Sequence, residues 1–114
     1  MIAIIFLALF ASMNMSTILL ATEKPFTKET VQDIKKIVEE SGNTFKLLEK
    51  YKTKQKLMDS IKDVDAIIVR SDKITKEIID SSNNLKVIAR AGAGFDNIDL
   101  AYSSKKGIVR ESQF

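Results

Sequence analysis

Apolar positions along this chain follow two alternating rhythms. Short strand-like runs, Ile18–Ala21, Thr44–Leu48, Ala66–Val69 and a fourth starting at Lys86, are separated by stretches with helical spacing. Ala66–Val69 is apolar throughout and largely β-branched, the pattern of a strand buried on both faces in a helix-covered parallel sheet. Val31, Ile34, Ile37 and Val38 recur at three- and four-residue intervals over Lys28–Ser41, with Thr27 placed to cap the start and Gly42 to supply a left-handed residue after the end. Thr53 caps a second helix through Ile61, with Leu57, Met58 and Ile61 inward, and Ile74, Ile78 and Ile79 mark a third over Ile74–Ser81. Glu23-Lys24-Pro25-Phe26 breaks the first strand, and Asn83-Asn84 turns the chain into the fourth. Asp99–Lys106 reads as a fourth helix stopped by Gly107, and Ile108-Val109 open a fifth strand. Strands and helices alternating at this spacing predict βαβ units with right-handed crossovers, and so a doubly wound α/β sheet.

Composition narrows the chemistry. The 114 residues have room for one domain, and a net charge of +3 with 45% hydrophobic residues describes a folded globular chain. The densest basic stretch, Lys50–Lys56, falls where a loop meets a helix start and reads as a solvated face, so no nucleic-acid partner is expected. There is no cysteine and no histidine, which removes disulfides, thiolate metal sites, the cysteine nucleophile and the commonest general base and metal ligand. No metal site is expected. Met1–Ala11 is a nearly unbroken apolar run, shorter than the ~20 residues a membrane span needs and without a preceding Lys or Arg. The expectation is an extension over residues 1–14 that lies outside the fold, with Met15 as an alternative start. It goes with a cytoplasmic protein, a membrane role being unfavoured and a secretion signal being the minority reading. The domain is then expected over 15–109, with 110–114 as a tail.

The candidate chemistry lies at the carboxyl ends of the third and fourth strands, where doubly wound sheets bind ligands. Arg70-Ser71 and the loop Arg90–Gly94 should emerge side by side, offering two guanidinium groups, a hydroxyl and the amides of a glycine turn. Phe95–Asp99 reads as the start of a helix behind that turn. Guanidinium binds carboxylate or phosphate through paired N–H donors, so a small anionic metabolite fits. Plainer readings stay open: Arg70 could form an ion pair with Asp72 or Asp96, and Gly92 and Gly94 could simply permit a tight turn. Gly92–Asn97 is also a partial G-x-G-x-x-G, with Glu111 near the spacing of a ribose-binding acid. A phospho-receiver would need acids where Val69-Arg70 and Thr22-Glu23-Lys24 stand. A flavin fold would need a hydroxyl-rich phosphate loop where Glu23-Lys24-Pro25 stands.

Leu20–Phe26, Leu48–Tyr51, Ile68–Lys73 and above all Arg90-Ala91-Gly92-Ala93-Gly94-Phe95-Asp96-Asn97-Ile98-Asp99-Leu100 resemble the D-2-hydroxyacid dehydrogenase family in its phosphoglycerate dehydrogenase branch. The resemblance runs from Ser16 to about Ile108. It implies the family's flavodoxin-like, three-layer substrate-binding domain, C-terminally truncated, and an NAD-dependent oxidation of 3-phospho-D-glycerate in serine biosynthesis. Substrate contacts would fall on Arg70, Ser71, Arg90, Gly92, Ala93, Gly94, Asp96 and Asn97, with Arg90 shaping the site and Ala93 touching the nicotinamide end of the cofactor. The family's Rossmann domain, with its catalytic Arg, Glu and His, has no counterpart in these residues. No catalytic residue is therefore assigned, NAD is implied for the family but not expected to bind this chain alone, and the chain is expected to be inactive by itself. Association into a homo-oligomer or with full-length subunits is in keeping with that reading. The alternative is a small non-enzymatic α/β interaction module.

Overall fold

The computed structural model describes residues 13–92 and 94–113. The reading of Met1–Ala11 lies outside the described residues. Along the chain come β1 (Thr17–Thr22), α1 (Lys28–Glu40), β2 (Thr44–Glu49), α2 (Lys54–Ile61), β3 (Ala66–Val69), α3 (Lys76–Asp80), β4 (Val87–Ala91), α4 (Leu100–Lys105) and β5 (Val109–Gln113). The strands form one sheet in the order β2-β1-β3-β4-β5, every pairing parallel. Strand order reverses between β1 and β3, the place where a doubly wound sheet opens a crevice beyond its strand ends.

Period-two alternation splits the apolar residues into two cores. Leu19, Ala21, Ile67, Val69 and Ile88 face Leu57 and Ile61 of α2 and Ile78 and Ile79 of α3, with Tyr102 of α4 packed alongside. Ile18, Leu20, Ala66, Ile68 and Ala89 face Val31, Ile34 and Val38 of α1. The three layers follow directly from that division. Each helix start is capped as its sequence dictates: Thr27, Thr53, Thr75 and Asp99 accept through their side chains from the N–H three residues on. Gly42 closes α1 in the left-handed region at φ 83°. No helix among the described residues is long and apolar enough to cross a membrane.

In four places the fold departs from the sequence pattern. Met13 packs against the α1-side core, its carbonyl accepts from the Asn43 amide, and Ser16 N–H donates to Asn43 Oδ1. Residues 13 and 14 therefore belong to the domain and not to an extension. Helix α3 begins at Lys76, because Thr75 caps it and Ile74 instead pairs in a parallel bridge with Ile98. That bridge also keeps Phe95–Asp99 from being helical. Ile98 N–H donates to Phe95 O across a turn, and α4 waits for its Asp99 cap. Finally, Arg110–Gln113 is no tail. It continues β5, in register from Val87↔Val109 to Ala91↔Gln113. As an edge strand it needs mainly backbone groups to pair, so its polar side chains hid it from a hydrophobicity reading.

Candidate functional site

β3 and β4 pair Val69 with Arg90, so the loops that follow them do emerge together. Past Val69 the chain turns at Arg70-Ser71 and is held there by backbone and side-chain contacts. Arg90 Nε donates to Arg70 O at 3.0 Å. Asn97 Nδ2 donates to Arg70 O at 3.1 Å and to Asp72 O at 2.7 Å. Ile74 N–H donates to Asn97 O, and Asp99 N–H to Ile74 O. The segment 95–99 is thus stitched along 70–74 as a brace.

The two arginines play different parts. Arg90 follows Ile88 onto the α2–α3 face of the sheet, and its guanidinium forms an ion pair with Asp96 at 2.7 Å while only 16% of its side chain is exposed. Gly92 and Gly94 wrap this group. A Cβ on Gly92 would lie 3.5 Å from Arg90 Nε, and one on Gly94 3.8 Å from Nη1, so both approaches are ordinary contacts. Gly94 is required by its φ of +78°. Arg70 goes to the opposite face, where its guanidinium lies 4.7 Å from the centroid of the Phe26 ring. Arg70 is exposed, and no carboxylate among the described residues is bonded to it.

Several expected contacts are corrected by this geometry. The two guanidinium groups do not form one clamp, because Arg90 is committed to Asp96 and to the Arg70 carbonyl. The structural ion pair foreseen for Arg70 belongs to Arg90. Asp96 presents a carboxylate already bound to Arg90, which would repel an anion, and both amide hydrogens of Asn97 are spent on carbonyls. Asp96 and Asn97 therefore hold the loop and do not contact a ligand. Ala93 lies outside the described residues. Ser71 is exposed beside Arg70, on the wall of a cleft of about 450 Å³ that Glu23, Tyr51, Lys52 and Lys73 also line and that has Leu57 and Ile78 at its base.

Sequence spacing gave no sign of the group beneath that wall. Asp72 is buried and accepts from Glu23 N–H at 2.9 Å, from Arg70 N–H at 3.2 Å and from the Tyr51 hydroxyl. Burial, the hydrogen bond to Asp72 and the negative charges of Asp72 and Glu23 all push the Tyr51 phenol well above its ordinary range. A raised folded-state pKa adds stability that is fully present below the unfolded value of about 10 and is lost as pH rises through the folded value. An ultraviolet pH titration should therefore show Tyr51 ionising only at pH above that of free tyrosine. Ionisation at or below the free value would contradict the contact.

The glycine loop is not a dinucleotide cradle. A pyrophosphate there would need free amides at a helix start, but the Asp99 carboxylate caps α4 and accepts from Tyr102 N–H, and the Arg90 side chain fills the curve of the loop. Among the described residues no group of His, Cys, Asp and Glu is placed to hold a metal ion.

The sheet order, the paired loops and the basic strand end define an α/β substrate-binding unit, and comparison with known proteins identifies its kind. The D-isomer specific 2-hydroxyacid dehydrogenase catalytic domain matches residues 18–110, and the chain belongs to that family. It is 48% identical over 58 residues to D-3-phosphoglycerate dehydrogenase of Methanocaldococcus jannaschii, a match covering 50% of this chain and 11% of that protein. It is 52% identical over 56 residues to hydroxypyruvate reductase of Thermotoga maritima, covering 48% of this chain and 18% of that one. Among solved structures, NAD+-bound 3-phosphoglycerate dehydrogenase of Entamoeba histolytica superposes with a TM-score of 0.83 at 44% identity, over 85% of this chain and 32% of that chain. The chain thus matches under a third of the length of each of these relatives.

Proposed function

We propose that this chain is the substrate-recognising part of a D-3-phosphoglycerate dehydrogenase, with residues 13–113 as its folded unit. The whole enzyme would oxidise 3-phospho-D-glycerate to 3-phosphooxypyruvate with NAD in serine biosynthesis. The observation that carries this reading is the Arg70 guanidinium, exposed, steadied on Phe26 and free of carboxylate partners among the described residues. Beside it stand the Ser71 hydroxyl and the glycine turn that Arg90 shapes. A carboxylate or phosphate oxygen pair suits the parallel N–H donors of guanidinium, and a hydroxyl within reach adds direction to the contact.

The roles follow from these positions. Arg70 binds the anionic group, Ser71 supplies a hydrogen bond, and the backbone at Gly92, Ala93 and Gly94 borders the substrate. Arg90 keeps that border in shape. In this family NAD supplies the hydride acceptor, and the described residues build no cradle for it. Our reading therefore gives the chain recognition without hydride transfer. The other candidate, an interaction module, would need a contiguous apolar patch. Its strongest exposed apolar residues, Leu47 on β2 and Val109 on β5, stand at opposite edges of the sheet.

Calorimetric titration of the purified chain with 3-phospho-D-glycerate should show binding, weaker for D-glycerate, which lacks the phosphate. Mixing the chain with NAD and 3-phospho-D-glycerate should produce no NADH. Sustained NADH formation by the chain alone would overturn the proposal, as would the absence of any binding.

A further inference from the structure

We infer that Tyr51 and Asp72 are positioning residues for the anion-binding turn: the Tyr51 hydroxyl orients the Asp72 carboxylate, and Asp72 fixes Arg70-Ser71 at the end of β3. This inference rests on the reading of Arg70 as the substrate contact, and it assigns to that site two residues that lie outside its loop motifs.

The turn after β3 is held from two sides. On one side the brace from β4 uses Arg90 and Asn97 on the carbonyls of Arg70 and Asp72. On the other side the carboxylate of Asp72 collects three donors from three separate segments: the Glu23 N–H after β1, the Arg70 N–H after β3 and the Tyr51 hydroxyl after β2. Asp72 thereby joins the loops that follow three adjacent strands. Its own burial makes this arrangement exacting, since a buried carboxylate has to be met by donors. Of the three donors only Tyr51 comes from a side chain, and it reaches Asp72 across 21 positions of sequence. The two backbone amides cannot set the direction of the carboxylate by themselves, because each sits on a loop that Asp72 itself is holding. Tyr51 is anchored separately, its ring packed against the α2–α3 core. The hydroxyl is therefore the fixed point from which the carboxylate, and through it the Arg70 backbone, takes its place.

The fold carries its own control. Tyr102 makes the same kind of bond to Asp80 on the surface between α4 and α3, beside the Lys76–Asp80 ion pair. That pair belongs to the far ends of α3 and α4 and touches none of the loops of the site. Removing either hydroxyl deletes one tyrosine–aspartate hydrogen bond, but only the Tyr51 bond bears on Arg70.

The test uses the full 114-residue chain with Tyr51→Phe and, separately, Tyr102→Phe, at a temperature where both remain folded. In the free protein, Tyr51→Phe should speed amide hydrogen exchange at Glu23 and Arg70, the two N–H groups that Asp72 holds, and Tyr102→Phe should not. In titrations with 3-phospho-D-glycerate, Tyr51→Phe should bind about three- to tenfold more weakly, as for the loss of one ordinary hydrogen bond's influence, with Tyr102→Phe unchanged. Asp72→Asn, which keeps the side-chain size but turns an amide toward the donors, should weaken binding further if it folds. Tyr51→Phe with wild-type affinity and exchange overturns the inference and leaves the reading of Arg70 standing. Equal weakening by Tyr102→Phe overturns it as well, because the effect would then be general loosening. A wild-type chain that binds no 3-phospho-D-glycerate at all overturns the reading of Arg70 and takes the positioning role with it.

Discussion

Arg70→Ala is expected to weaken binding of 3-phospho-D-glycerate by about 10- to 100-fold while leaving the fold in place. A hydrogen bond to a charged group contributes about 1.5–3 kcal/mol, and every 1.4 kcal/mol is a factor of ten in affinity. The side chain is exposed and its one described contact is the Phe26 ring, worth about 0.5–1 kcal/mol at an exposed site. Its backbone does the structural work, through the carbonyl that Arg90 and Asn97 hold and the N–H that Asp72 accepts, and alanine keeps both groups. Arg70→Lys should fall between wild type and alanine, since an ammonium keeps the charge but loses the planar pair of donors. Affinity is read by calorimetry and folding by the thermal transition. An unchanged affinity in Arg70→Ala would remove this residue from the site.

The largest effect on stability is expected at Ile34. It is fully buried at the centre of the α1 stripe, and α1 is the helix that covers the face formed by Ile18, Leu20, Ala66 and Ile68. Truncating a buried Ile to Ala costs about 2–5 kcal/mol through lost transfer energy and the cavity left behind. A domain's whole stability is about 5–15 kcal/mol. Each kilocalorie should lower the transition by about 4–8 °C in a chain of this size. Urea denaturation of Ile34→Ala should show a midpoint well below that of wild type. A loss of under about 1 kcal/mol would contradict the packing of α1 on the sheet.

Much of this architecture is legible in the sequence because it rests on local rules. The isoleucines and valines of α1 repeat on one face, Ala66–Val69 could only be a strand buried on both sides, and Thr27 and Thr53 stand where helix starts need oxygen acceptors. The strand β5 was legible only at Val109, since Arg110–Gln113 pairs through backbone groups that hydrophobicity does not report. The same limit applies to the site. Arg70, Ser71 and the glycine turn were visible as residue types with anion chemistry at strand ends. Which arginine is free was not visible, because Arg90 meets Asp96 through the path of a loop that the Ile74–Ile98 bridge bends away from helix. Asp72 and Tyr51 were further out of reach. Their contact spans two strand ends, and nothing in the spacing of the chain marks it.

The central claim, that the loops after β3 and β4 recognise the substrate, is tested most directly by mapping amide shifts of the isotope-labelled chain during titration with 3-phospho-D-glycerate. The account predicts that the largest shifts cluster at Arg70-Ser71 and across Arg90–Asn97, saturate together with one affinity, and disappear in Arg70→Ala. Shifts scattered over the surface, or centred on α1 and the β2 edge with Arg70-Ser71 unmoved, would contradict it.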